Sequence, residues 1–535
     1  MRRVLIALAM AALAAVMLPA LALGHPERKT FFPDHTKGSV PQYRTSGPSL
    51  VVCKKDSRRR IRRLLDGAIE KKNLALLKRC KFEHIQAAVD AATNGTRILL
   101  LPGVYREEPS RAAPQDDPRC ADMRETPQKD QIGGVEDPTA GSSAGSYEFH
   151  RNCPNAENLI TIAGDDEDAD RECDDKCNIQ IEGTGSKPRQ VRINGERTKL
   201  NIIRADRADG IYLTNFLIEY SDFNNIYALE TNGFAFNYVV SRYSREYGFL
   251  SFSSDNGLYD HLNAFGAGDS GVYPGSGPEG HCARYGIEIR NVDSHDNTIG
   301  YSGTAGNGVY AHDNRFHGNA TGMTTDSFAS GHPGMPQDCA KWENNRIYSN
   351  NLDLFSEERD EYCEIKNRPI KERDPKIVCP TFQVPVGTGA LIAGGNGNLV
   401  RNNWVYDNWR DGFKLFYVPA TFRGEPEKGI DTSFDNTYAN NRMGMRPDGT
   451  RDPNGNDFWW DGEGRGNCWT GNSGPGGSAA TSNMALPDCP GSPVFLPGDP
   501  NKTASQAPCA TWDPQDEELQ DPPGCDWFAR PPEPQ

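Results

Sequence analysis

Between residues 286 and 323 one short unit is spelled twice, and that doubling limits what the chain can fold into more than any other feature. The stretch reads GIEIRNVDSHDNTIGYSGTAGNGVYAHDNRFHGNATGM. In the first copy Ile287 and Ile289 alternate with polar residues, Asn291 interrupts, Val292 resumes, and Asn297 and Gly300 close the unit. In the second, Val309, Ala311, Asn314, Phe316, Asn319 and Gly322 take the same places. Asn291 and Asn314 are 23 residues apart. That length is too short for a domain and fits one coil of a stacked solenoid. Each coil then contributes short strands about 4.8 Å from the next. Inward apolar residues stack into a continuous core. An Asn at a turn can stack on the Asn of the following coil and pair backbone groups that a bend would orphan.

Asn anchors at 215, 237, 291, 314, 345, 403 and 436 carry the reading along the chain, with steps of 22, 54, 23, 31, 58 and 33 residues. The step of 54 fits two coils plus the loop YPGSGPEGHC, and the step of 31 fits one coil plus GHPGMPQD. The step of 58 absorbs a charged excursion that Cys363 and Cys379 can close. Gly is abundant, at 54 residues, and Leu is sparse, which favours tight turns over long amphipathic helices.

The N-terminal residues 1–24 carry Arg2 and Arg3, an apolar run and small-residue exits, the pattern of a secretory signal peptide. Nothing later is apolar enough to span a membrane. Fourteen Cys then read as disulfides of an oxidising compartment, with Cys173 and Cys177 closing a small loop rather than a metal knuckle. The net charge of −15 argues against a nucleic-acid surface.

Residues 25–50 read as an extended leader. Residues 53–81 differ sharply: twelve Lys and Arg, an apolar face at Ile61, Leu64, Leu65, Ala68 and Ile69, and bracketing Cys53 and Cys80. This predicts a helical hairpin clipped by that pair, either a solvated cover for the solenoid end or a contact for an anionic wall polymer or lipid surface. Residues 82–107 predict a short helix with Ile85, Ala88, Val89 and Ala92 on one face, a stop at Asn94-Gly95, and a buried strand from Ile98 to Leu101. A helix there would cover the raw edge of a solenoid. With the Asn-containing coils that follow, IQAAVDAA…ILLLPGVYRE resembles the opening of bacterial right-handed parallel β-helix proteins of the pectin-lyase-like superfamily. The resemblance implies an all-β solenoid of about ten coils over 82–469, and a chemistry of polysaccharides. Residues 108–158 read as an excursion from it, and residues 470–535 as an irregular strap stapled by Cys489, Cys509 and Cys525.

Two loops leave the coils at the same point. One follows Asp269 and holds His281 and Arg284; the other follows Asp326 and holds His332. They are two coils apart, about 10 Å at their bases, and Cys282 and Cys339 can tie them. With His312 on the coil between, the spacing predicts that Asp269, His281, Arg284, His312, Asp326 and His332 converge on one cleft. Such a set can perform general acid–base chemistry in an elimination, or, through Asp269 and Asp326, hydrolysis by paired carboxylates. Asp and His in turns also bond their own backbone, a structural role for each. Ca²⁺ is the one cofactor the acidic residues raise, although the run 164–175 lacks EF-hand spacing. Two functions stand: a secreted protein that binds and processes a carbohydrate polymer on the face 269–339, or a non-catalytic envelope or adhesion rod.

Overall fold

The structure, a computed structural model, describes residues 28–111, 120, 146–165, 170–328, 332–356, 362–363, 374, 376–477, 485–512 and 524–535. The leader segment before residue 28, with the signal-peptide pattern, lies outside them, as does most of 108–145. Three parallel sheets run the length of the molecule, with twelve, ten and ten strands. One coil passes through each sheet in turn: Ile287–Arg290 in the first, Asp293–His295 in the second, Ile299–Tyr301 in the third. The next coil repeats this with Val309–His312, Arg315–His317 and Thr321–Asp326. Parallel crossovers of this kind wind right-handed. In the first sheet Ile287 lies on Val309 and Ile289 on Ala311, and these inward residues join one core from Val52 to Trp469.

The Asn residues work as expected, but in columns that the anchor series mixes. Asn314, Asn345, Asn403, Asn441 and Asn472 form one ladder, each giving its side-chain NH₂ to the next Asn oxygen at 2.9–3.1 Å. Asn436 belongs to another ladder, between Asn398 and Asn467. Asn291 sits one position before the column, with φ of 54°, and donates to Asp260. Asn215 and Asn237 are likewise outside it. In earlier coils the column position is apolar instead: Phe216, Val239, Leu262 and Val292. A third ladder runs through Asn297, Asn319, Asn350, Asn408 and Asn454. Beside it the coils touch so closely that a Cβ on Gly322 would lie 2.4 Å from the Gly389 carbonyl.

The first sheet begins before the basic segment, with Ser49–Val52, which pairs with Arg97–Leu100. Helices α1 (Ser57–Leu64) and α2 (Gly67–Leu77) follow, and Cys53–Cys80 clips them as predicted. Their apolar residues Ile61, Leu65 and Leu76 pack on Val51, Leu99 and Leu101. These alternate with the core residues Val52, Ile98 and Leu100, so the hairpin lies on the outer face of the first sheet rather than over the solenoid end. Helix α3 (Ile85–Asp90) covers that end, with Ile85, Ala88 and Val89 in the core. The tail is less irregular than expected: it contains helix α4 (Pro500–Ala510). All fourteen Cys are paired, and Cys173–Cys177, Cys282–Cys339 and Cys363–Cys379 match the sequence reading.

Candidate functional site

The three outer faces of the solenoid differ in what covers them. The third sheet is roofed. Arg28 of the leader bonds Asp206 and Glu230, and Thr30 bonds Ser253. Further along, Leu391, Ala393 and Phe416 are sealed by Leu354 and Val384 from the long excursion and by Trp512, Trp527 and Phe528 from the tail. The second sheet carries a ladder of rings stacked on one another: Phe265, His295, His317, Tyr348 and Tyr406, with centroids 4.7–5.3 Å apart. Such rings spend their faces on each other.

The six predicted residues divide between these surfaces. Asp269, Asp326 and His332 all lie on the outer side of the third sheet, and all three are buried. Asp269 is hydrogen-bonded by Ser270 and Tyr247, and burial pushes its carboxyl up to about 7, with Asp326 adding to the rise. Burial likewise raises Asp326, which accepts from Thr304 Oγ1 at 2.7 Å and the Phe328 N–H at 3.0 Å. Tyr247 and Tyr273 pack together at 4.6 Å, and His332 meets Phe252 edge-on at 5.2 Å. The single cleft expected for all six does not form. His281 is exposed in the first loop, Arg284 is ion-paired with buried Asp255, and His312 lies on the outer face of the first sheet. The spacing argument placed the loops rightly, since both leave the seam from third to first sheet and Cys282–Cys339 joins them. It failed for His312 because a loop and a strand residue close in sequence need not share a face.

The first sheet's outer face beyond the hairpin holds the open arrangement. Alternation turns Ile, Val, Ala and Trp inward and leaves polar residues outward. Parallel register then aligns Asp260, Arg290, His312, Glu343 and Arg401 in one row, with Glu288, Tyr310 and Lys341 beside it. His312 Nε2 lies 3.0 Å from Glu288 and its Nδ1 2.7 Å from Asp313. The protonated ring donates to both; the neutral ring donates to one. The imidazole stacks on Tyr310 at 4.2 Å. Tyr310 donates its hydroxyl to Glu343 at 2.8 Å, and Lys341 and Arg401 also bond that carboxylate, at 2.9 and 2.6 Å. Burial pushes Glu343 up, but these three donors outweigh it and hold it at about 2. Burial and Glu343 together push Tyr310 up to about 12. Arg290 joins Glu288 at 2.8 Å to Asp260 at 3.3 Å.

Glu288, Tyr310, Lys341, Glu343 and Arg401 were not singled out from the sequence. Their signal was there: each is the polar partner of an alternating strand, in IEIR, VYAH, KWE and LVR, and aligning the coils stacks them. As for a cation, Asp165, Asp170 and Asp174 bring oxygens within 4.8 Å of one another, but Asp165 is held by Arg207 at 2.6 Å. Among the described residues no helix is long and apolar enough to cross a membrane.

No known family's sequence profile matches the chain, and no curated protein does. Among solved structures it is similar to the pectate lyase Pel9A, at 9% identity over 84% of this chain and 82% of that one, with a TM-score of 0.34. It is similar to the A-module of the Azotobacter vinelandii mannuronan C-5 epimerase AlgE4, at 11% identity over 75% and 94%, with a TM-score of 0.37. A third is the Dettilon tailspike protein, at 10% identity over 57% and 58%, with a TM-score of 0.36. Similarity at this level carries no activity across. The three parallel sheets themselves, with their right-handed crossovers, make this chain a right-handed parallel β-helix.

Proposed function

We propose that the protein binds an extended carbohydrate polymer along the outer face of its first sheet, and that His312 transfers protons to and from it. One observation carries the reading: across consecutive coils the first sheet presents His312, hydrogen-bonded to Glu288 and stacked on Tyr310, itself bonded to Glu343, in a set that reaches solvent. Donors and acceptors of both signs recur there at the coil spacing, which suits a repeating, hydroxyl-rich chain better than a small compact ligand. Arg290, Lys341 and Arg401 are already matched by Asp260, Glu288 and Glu343, so the face is close to neutral. It reads a polymer through hydrogen bonds and ring contacts rather than through net charge.

His312 can act as the base because the carboxylates of Glu288 and Asp313 stabilise the ring once it has taken a proton, and as the acid when it returns that proton to the polymer. Tyr310 keeps its proton on Glu343, and its ring positions the imidazole stacked on it. A base held in this way serves elimination or epimerisation next to an acidic carbon, and His312 with Glu288 also serves hydrolysis. The test is a polysaccharide panel with and without calcium, followed by absorbance of unsaturated products and by new reducing ends. His312→Ala is expected to lower turnover at least a hundredfold while the polymer still binds. Turnover unchanged in His312→Ala would remove the ring from the reaction. Binding without turnover in the unaltered protein would leave the polymer-binding rod, a reading favoured by the pairing of the charged groups on this face.

A further inference from the structure

The cations of this acidic protein are unevenly placed. Residues 53–81 carry twelve Lys and Arg against three Asp and Glu, a formal +9 in a chain of −15. Many arginines elsewhere are matched, Arg97 with Glu182, Arg192 and Arg242 with Glu219, Arg207 with Asp165 and Glu230, Arg423 with Glu425 and Asp431, and others such as Arg346 and Arg442 stand singly. In the hairpin the unmatched ones are clustered. Arg59 and Arg60 share Asp56, while Arg58, Arg62, Arg63, Lys71, Lys72 and Lys78 make no ion pair with any described residue, and apart from Arg60 all of these side chains are exposed.

The helices fix where that charge points. On α1, Arg58, Arg59, Arg62 and Arg63 fall at i, i+1, i+4 and i+5, opposite buried Ser57, Ile61 and Leu65. On α2, Lys71 and Lys72 lie opposite buried Asn73 and Leu76, and exposed Lys78 and Arg79 follow in the turn after the helix. The frame is rigid. Cys53–Cys80 clips its ends, Asn73 donates to the Thr184 carbonyl at 2.9 Å, and Gln190 donates to the Leu64 carbonyl at 3.0 Å. Unmatched like charges held a few ångströms apart repel one another, and a flexible chain would relax that repulsion; here it persists. A cleft of about 540 Å³ beside the hairpin mixes Lys54, Lys55, Arg60 and Arg106 with Asp56, Glu83 and Glu108, so most of the unbalanced charge belongs to the two helix stripes.

We infer that these stripes are a docking surface for a polyanionic glycan, separate from the nearly neutral face around His312. Lipid is the poorer partner, because the apolar face of each helix is spent on the first sheet and the hairpin exposes no large apolar side chain. Nucleic acid is poorer too, because residues 53–81 hold no aromatic ring on which a base could stack. The hairpin lies on the same outer face as His312, toward its first strands, so one long polymer can meet both surfaces. The docking does not depend on His312 being catalytic.

The test uses the full protein on immobilised heparin and on immobilised polygalacturonate, eluted with a salt gradient. The unaltered protein is expected to bind at low salt despite its net charge and to elute as salt screens the contact. The variant Arg58→Gln/Arg59→Gln/Arg62→Gln/Arg63→Gln is expected to lose at least tenfold in affinity, with circular dichroism and melting temperature unchanged. Arg346→Gln/Arg442→Gln, two exposed arginines of the second sheet, is expected to elute with the unaltered protein. Passage of the unaltered protein through both resins at low salt would overturn the proposal, as would equal losses in the two variants. Tighter binding to phosphatidylglycerol vesicles or to duplex DNA than to either glycan would overturn the assignment of the partner. Loss of turnover with retained heparin binding, in His312→Ala, would separate this surface from the proposed reaction.

Discussion

Asp269 is a carboxyl under a roof, and its burial has a thermodynamic sign. A folded-state pKa near 7, above the ordinary value near 4, means that folding favours the protonated acid. The stabilisation is fully present below the unfolded value and is lost as pH rises through the folded one. Glu107, raised to about 7 by burial, and Asp461, raised to about 6, act in the same direction. The melting temperature is therefore expected to fall between pH 5 and pH 8. Asp269→Asn keeps an acceptor for Ser270 and Tyr247 without the charge and should flatten the decline, recovering on the order of 2–4 kcal/mol at pH 8 at about 1.4 kcal/mol per unit. Calorimetry from pH 4.5 to 8.5 checks both; a melting temperature that climbs with pH would contradict them. That Asp269 and Asp326 stand near the two loops was legible, one just before the strand Ser270–Gly275 and the other at the end of Thr321–Asp326. Their burial was not, because the roof is built by residues far away in sequence.

The repeating element shows why the coils could be read and the columns could not. A two-residue turn puts one residue in the left-handed region and the next into the ladder, as in Asp313-Asn314, Asn344-Asn345, Asn402-Asn403 and Asn440-Asn441. Asn suits both places for different reasons: at the first it tolerates positive φ, and at the second its amide bridges coils. A lone Asn such as Asn291 thus looks like a ladder member while Val292 holds the ladder position. Asn403 accepts from the Asn345 backbone N–H at 2.9 Å and donates to the Trp342 carbonyl at 3.0 Å. Asn403→Ala leaves those buried groups unpaired and is expected to cost roughly 2–4 kcal/mol in denaturant unfolding. A loss below about 0.5 kcal/mol would mean that water replaces the amide. The outward residues of the same strands were harder to read, since alternation says which way Glu288 and Tyr310 point but only the register tells what they meet.

At the scale of the whole molecule, a stack of coils that touched only its neighbours would come apart one coil at a time from either end. The leader alters this. It is anchored at Arg28 to Asp206 and Glu230, at Asp34 to Asn232, at His35 to Asn256, and at Arg44 to Gln180 and Gly95. Those partners sit on different coils. Arg28→Ala leaves part of the charge of buried Asp206 and Glu230 unanswered and is expected to cost on the order of 3 kcal/mol. It should also broaden the thermal transition, which a calorimetric enthalpy in excess of the van't Hoff value would report; a sharp transition at the same temperature would exclude the effect. A stacked rod with a thread bound lengthwise along its flank behaves like a spliced spar rather than a column of coins. Force applied to the first coil is passed to coils well inside the stack, so the end cannot fray without loosening its middle.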